Sequence, residues 1–286
     1  MQTIKKHIVG AFSAISKALP LSVKTTLTRA PIFSGIFRKL LNAAIEDGLS
    51  VVTITAGGLA GMKMQLKMKT EKSRWLGTYE PDMEKAISEL VKPGDVVYDV
   101  GGNIGYISLL FSKAVGQSGQ VFCFEPLPEN VTRIQTNLSL NRVTNVQVVA
   151  AAVIDSDRDV QFLQHESVGM GKVEGSAGRD DQTYTGHLTV KGICLDNLAQ
   201  QEKVPEPDVI KLDIEGGEVL ALPGMKNLLA RKKPILMMEL HGPESEEVAW
   251  NTLMALGYHL YRMGHENELV HSKQQLGWKA YILALP

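Results

Sequence analysis

The 286-residue chain is short of several things whose scarcity narrows its function. It has two cysteines, Cys123 and Cys194, far apart and each among apolar neighbours. That excludes a disulfide framework and a cysteine-rich zinc site, and points to reduced, buried thiols in a cytoplasmic protein. Neither sign of charge is in excess: 30 basic residues stand against 31 acidic ones, so no global field points to nucleic acid as a partner. No apolar run reaches the roughly 18 residues needed to cross a bilayer as a helix. The stretch from Ile8 to Leu21 is broken by Lys17 and Pro20, which leaves little of a secretory signal. There is no internal repeat and no low-complexity tract.

One absence is local. No acidic residue precedes Glu46, whereas Lys5, Lys6, Lys17, Lys24, Arg29, Arg38 and Lys39 all do. Ile8, Phe12, Ile15 and Leu19 share one helical face, and Pro20 and Pro31 divide the segment into short helices. A basic amphipathic segment suits peripheral contact with an anionic membrane, here the inner membrane surface. Packing on the protein's own sheet, a homodimer contact or an organellar presequence are the alternatives.

What is present begins with a hairpin signal. Val52 and Ile54, then Met62, Met64, Leu66 and Met68, alternate with polar residues, and Gly57, Gly58 and Gly61 supply the turn. Residues 1–80 thus read as a helical segment and β-hairpin extension. From Pro81 the pattern becomes alternating helix and strand, and residues 81–286 read as one nucleoside-binding domain. Helices are expected over Pro81–Val91, Ile104–Val115, Pro128–Asn141 and Glu246–Leu256. Strands are expected over Val96–Val100, Gln120–Phe124, Val146–Val149, Val209–Leu212 and Pro234–Leu240, with two more around His259–Arg262 and Lys279–Leu283. The strands are apolar on both faces, as in a mostly parallel sheet of a doubly wound α/β fold. Gly169–Gly186 is rich in Gly, Asp, Ser and Thr, and reads as a lid, a substrate loop or a plain surface insertion.

Four motifs carry the chemistry. VVYDVGGNIGY, Val96–Tyr106, is a strand, a glycine turn and a helix start. A dinucleotide fingerprint needs glycines at relative positions one, three and six, and here those are Gly101, Asn103 and Tyr106, so a nicotinamide-dependent oxidoreductase is disfavoured. Asp99, Gly101, Asn103 and Gly105 suit instead a ligand with an amino-acid end, whose ammonium Asp99 meets directly or through water. VFCFEPLPEN places Glu125 at the next strand end, where a carboxylate accepts hydrogen bonds from a ribose diol. VIKLDIEGGE brings Asp213 to the crevice, with Lys211, Asp213 and Glu215 on one side if the strand runs on to Glu215. ILMMELHG ends the neighbouring strand in Glu239 and His241. A non-catalytic nucleoside-binding module would not need this last acid and histidine cluster.

Together with WLGTYEP, Trp75–Pro81, these motifs resemble, in order, those of FkbM-type methyltransferases. The resemblance covers about Trp75–Tyr258. It implies a seven-stranded, Rossmann-like class I methyltransferase sheet with its last strand antiparallel, and S-adenosylmethionine as cofactor. It also implies O-methylation of a small-molecule acceptor: a hydroxyl on a sugar, a polyketide-type product or a lipid-linked molecule. By the same resemblance, Asp99, Gly101, Asn103 and Gly105 match the donor turn, Glu125 the ribose ligand, and Tyr79 and Glu80 the motif that closes over the donor. Gly102 stands where Ala is common. For a hydroxyl acceptor, His241 is the natural general base because it titrates near neutrality, with Glu215 or Glu239 in its place if burial raises the pKa. A divalent cation held by Asp213, Glu239 and His241 is an alternative that the spacing does not demand.

Overall fold

The computed structural model describes residues 48–165, 169–178, 183–201, 204–264, 266–277 and 279–286. The basic segment before Glu46 and its apolar face lie outside the described residues. The described chain falls into two compact units, one of residues 48–81 with Ser139–Arg142, the other of Asp82–Leu138 with Val143–Pro286.

In the smaller unit, β1 (Leu49–Thr53) and β2 (Lys63–Lys67) pair antiparallel with Val52 opposite Met64. The period-two methionine pattern has the expected outcome, because Met64, Leu66 and Met68 are all buried. A short helix, Lys72–Leu76, follows and buries Trp75.

The larger unit is built on one sheet. Its strands are β3 (Val96–Val100), β4 (Gln120–Phe124), β5 (Val146–Val149), β10 (Val209–Leu212), β11 (Ile235–Leu240), β12 (His259–Arg262), β13 (Glu268–Leu269) and β14 (Ala280–Leu285). The order is β13-β12-β14-β11-β10-β3-β4-β5. β10 lies parallel to β3 and to β11, and β4 parallel to β3 and β5, while β14 inserts antiparallel between β11 and β12. This is the expected α/β, Rossmann-like sheet of seven strands with an antiparallel last strand, extended at one edge by the two-residue β13. β10 and β11 are buried almost throughout, as strands covered on both faces must be.

Most helices fall where the periodicity places them, at Pro81–Leu90, Tyr106–Val115, Pro128–Leu140 and Pro243–Ala255. The helix expected from Ile104 starts later, because Asn103 (φ 51°) and Gly105 (φ 84°) are left-handed and cannot belong to a right-handed turn. A second sheet went unexpected: β6 (Ala152–Val153), β7 (Arg158–Gln164), β8 (Lys172–Val173) and β9 (Gly186–Ile193), in the order β6-β9-β7-β8. β7 and β9 are largely half-exposed, so no apolar run marks them. The stretch read as the loop Gly169–Gly186 contains β8 and the first residue of β9, and its residues 179–182 lie outside the described residues. Among the described residues, no helix is long and apolar enough to cross a membrane.

Candidate active site

Register assembles the site. Val100 pairs with Leu212 and with Phe124, and Leu212 with Met238. The residues just past these positions, Gly101, Glu125, Asp213 and Glu239, therefore leave four adjacent parallel strands at their carboxyl ends, where open α/β sheets bind ligands.

The glycine turn is fixed by close approach. Gly101 has φ 85°, and a Cβ there would lie 1.9 Å from the Asp213 carbonyl oxygen, so no other residue fits. The departure at Gly102 has a local cause: a Cβ there would lie 2.1 Å from Cys123 Sγ. The Gly101 and Gly102 amides both donate to the Phe124 carbonyl, at 3.0 and 3.1 Å, which ties the turn to β4.

Asp99 was expected to face a ligand ammonium. It is instead fully buried, with Oδ2 accepting from Ser108 Oγ at 2.5 Å and Oδ1 3.2 Å from Lys211 Nζ. Lys211 and Asp99 are register partners on adjacent strands, which places both side chains on one face. The same ammonium donates to the Gly101 carbonyl at 2.7 Å and lies 3.7 Å from Asp213. The cation beside Asp99 is thus the protein's own, and it supports the turn.

Glu125 lies at its expected strand end. Oε2 accepts from the Asn103 amide at 2.8 Å, and Oε1 from the Leu127 amide at 3.0 Å and Asn130 Nδ2 at 3.2 Å. Three of about four acceptor positions are used, so one remains for a ligand hydroxyl. Burial outweighs these bonds and pushes its carboxyl up to about 7.

The expected acid and histidine cluster comes together around His241. Nε2 lies 3.4 Å from Glu239, 3.7 Å from Glu215 and 3.9 Å from Asp213, while Nδ1 lies 3.3 Å from Glu218. β10 ends at Leu212, so strand alternation does not deliver Glu215. A turn with left-handed Glu215 (φ 53°) and Gly216 (φ 97°) delivers it instead. Asp213, Glu239 and His241 each offer one atom to a cation, all within 4.8 Å of one another.

The electrostatics distinguish the members of the cluster. Burial alone would pull the His241 imidazole down, but contacts with Glu218 and Glu239 and the charge of Asp213 push it up to about 11. This shift favours the imidazolium at neutral pH and weighs against the sequence expectation that His241 takes the proton. Burial of Glu239 is outweighed by His241 and Lys279, whose Nζ lies 2.7 Å from Oε1, and its carboxyl falls to about 2. Glu215 is raised to about 7, chiefly by burial, with His241 opposing. Its side chain keeps a third of its surface exposed, against 4 % for Glu239 and none for Glu218.

Glu218, Ser245 and Lys279 were missed. Glu218 was legible as the last acid of IEGGE, but Ser245 and Lys279 carry no local signal. Tyr79 and Glu80 belong to the smaller unit. There the Arg74 guanidinium lies 3.9 Å over the Tyr79 ring, and Glu80 has φ 45°. The described part of the Gly169–Gly186 stretch runs along the site. A Cβ at Gly169 would lie 3.2 Å from Asn103 Nδ2, and one at Gly178 would lie 3.3 Å from the Glu215 carbonyl oxygen and 3.7 Å from that of His241.

Comparison with known proteins agrees with these motifs. The chain is 30% identical over 162 residues to the hexuronic acid methyltransferase AglP of Haloferax volcanii, a match covering 57% of this chain and 62% of that protein. It is 26% identical over 159 residues to the 2-O-methyltransferase NoeI of Sinorhizobium fredii, covering 51% of this chain and 64% of that one. The chain therefore spans less than two thirds of the length of either relative. A crystal structure of an FkbM methyltransferase from Methylobacillus flagellatus superposes with a TM-score of 0.46 at 16% identity, covering 76% of this chain and 54% of that one. Residues 99–266, more than half of the chain, match the methyltransferase FkbM domain, and the chain belongs to that family.

Proposed function

We propose that the chain transfers a methyl group from S-adenosylmethionine to a hydroxyl of a small-molecule acceptor, with the chemistry in residues 81–286. One observation carries the reading. A glycine turn and a buried ribose-type carboxylate, Glu125, leave strands adjacent to those that end in Asp213, Glu215, Glu239 and His241. The donor's sulfonium is already a good leaving group, so alignment of donor and acceptor and exclusion of water account for most of the rate. Glu215, the most exposed carboxylate of the cluster, takes the hydroxyl proton as the oxygen attacks the methyl carbon. Glu239 and the His241 imidazolium orient the acceptor. Asp99 acts through Lys211 by holding the turn on which the donor's amino-acid end rests. The stretch from Gly169 to Gly178, which runs from Asn103 to His241, is suited to cover both substrates.

The relatives' names, with a hexuronic acid in one and a 2-O position in the other, support a sugar-type hydroxyl as acceptor. Calorimetric titration with S-adenosylmethionine and with nicotinamide cofactors tests the donor. A turnover assay for S-adenosylhomocysteine across hexuronic acids and neutral sugars tests the acceptor. Binding of a nicotinamide cofactor in preference to S-adenosylmethionine would reject the reading.

Glu125→Ala is expected to weaken donor binding by about 1.5–3 kcal/mol, the usual worth of a hydrogen bond to a charged group. Ribose hydroxyls favour the ionised carboxylate, so donor affinity is fully present above about pH 7 and falls as pH drops through that value. The same pH titration of Glu125→Gln is expected to be flat, and a wild-type profile equally flat would remove Glu125 from the donor site.

The acid-free basic segment before Glu46 supports peripheral docking at the cytoplasmic face of the membrane. In liposome flotation the full chain is expected to float with anionic but not neutral vesicles, and a form starting near Glu46 to stay in solution yet bind the donor. A full chain that ignores anionic vesicles rejects docking.

A further inference from the structure

We propose that Asp213, Glu239 and His241 form a site for one divalent cation of the magnesium or manganese kind, with Glu218 as the residue that orients the histidine. The site stands on geometry. The cation's part in the reaction rests on the methyl-transfer reading above.

His241 is 8 % exposed, and its Nε2 has no hydrogen-bond partner among the described residues. Yet that nitrogen is aimed at three carboxylate oxygens from two strand ends, at 3.4, 3.7 and 3.9 Å. These separations are long for hydrogen bonds, and those to the proposed ligands Glu239 and Asp213 are only slightly longer than the about 3 Å between neighbouring ligands of an octahedral cation with bonds near 2.1 Å. A buried donor or acceptor left unmade is costly, so the arrangement needs an occupant.

The other ring nitrogen is prepared for the same purpose. Glu218 is fully buried in the first turn after Gly217, where its Oε1 lies 3.3 Å from His241 Nδ1. Its Oε2 accepts from Ser245 Oγ at 2.8 Å. The entering cation displaces the Nε2 proton of the imidazolium, and the carboxylate on Nδ1–H then holds the tautomer that presents a lone pair at Nε2, the usual support of a metal-bound histidine. Four carboxylates meet here, Asp213, Glu215, Glu218 and Glu239. Among the described residues, Lys279 and Lys211 are the cations that oppose them besides His241, and Lys211 is shared with Asp99. The set of two carboxylates and one imidazole, with no cysteine, favours a hard or borderline cation. Lys279 is half-exposed and can leave Glu239 when the cation enters.

The cation would take the acceptor hydroxyl oxygen in an open position. The hydroxyl proton passes to the Glu215 carboxylate, and the oxygen electron pair forms the O–CH₃ bond. The S–CH₃ bond breaks with its electron pair returning to sulfur, leaving a neutral thioether. Binding to the cation lowers the hydroxyl pKa and so eases the proton transfer.

The test is titration of Mn²⁺ into the full chain, with free Mn²⁺ followed by electron paramagnetic resonance. One bound Mn²⁺ per chain, displaced by excess Mg²⁺, is expected. His241→Ala should abolish uptake, and Glu218→Gln should weaken it about 10–100-fold although Glu218 does not touch the ion. Absence of uptake by the wild type at millimolar Mn²⁺, or equal uptake by the wild type and both variants, overturns the site. S-adenosylmethionine titration of each protein reports folding independently, and the conservative Glu218→Gln decides the matter if His241→Ala does not fold. Uptake of Mn²⁺ without donor binding by the wild type supports the site and overturns the donor reading. Donor binding without Mn²⁺ uptake does the reverse.

Discussion

Glu215→Gln lowers the rate of methyl transfer by about 10²–10⁴-fold, the usual contribution of a general base, while donor affinity stays unchanged. The substitution keeps shape and removes only the basic oxygen. Glu215 is the most exposed of the carboxylates near His241, with a third of its side chain open against 19 % for Asp213. Glu239 is covered by Lys279 and His241, and Glu218 is fully buried. Single-turnover formation of S-adenosylhomocysteine at saturating donor measures the effect. A wild-type rate would place the base elsewhere. His241→Gln should also slow the reaction, but through acceptor orientation, so its loss should appear partly as a raised acceptor KM.

Lys211→Met destabilises the fold by about 3–5 kcal/mol, because it leaves a buried carboxylate without its counter-charge. Asp99 and Lys211 are both nearly inaccessible to water, and Lys211 also holds the Gly101 carbonyl. Methionine fills the volume of the lysine stem, so the loss reads charge rather than a cavity. Urea denaturation of the variant gives the cost, and the double change Asp99→Asn with Lys211→Met should recover a large part of it. A single-variant cost within about 0.5 kcal/mol, the range of ordinary surface changes, would show that the pair is not what holds the turn. Donor affinity of Asp99→Asn alone, which keeps Lys211 on the Gly101 carbonyl, separates an Asp99 that holds the turn from one that meets the ligand: the first leaves affinity near wild type, the second does not.

Much of the fold was legible because its signals are local. Val96–Val100 and Val209–Leu212 read as buried parallel strands from their apolar runs, and the Gly101–Gly105 turn from glycine spacing. β7 and β9 escaped because their half-exposed faces leave no apolar run to detect. Glu125 was recognisable from its place after an apolar strand. The partners of Asp99 were not, since a lysine inside the apolar run VIKL shows its purpose only when register sets it opposite Asp99.

The sequence by itself determined the alternation of elements, the glycine turn and which acids and histidine end the strands. These depend on side-chain periodicity and on backbone freedom within a few residues. Only the tertiary structure decided what those groups are chemically. Lys279 reaches Glu239 because β14 inserts antiparallel beside β11, and Glu218 reaches His241 across 23 residues. Those long-range neighbours push the His241 imidazole from an ordinary value near neutrality up to about 11, while burial raises Glu215 to about 7. A pKa is set by the charges and the burial that the finished fold places around a group, and neither can be read from the residues beside it in the chain.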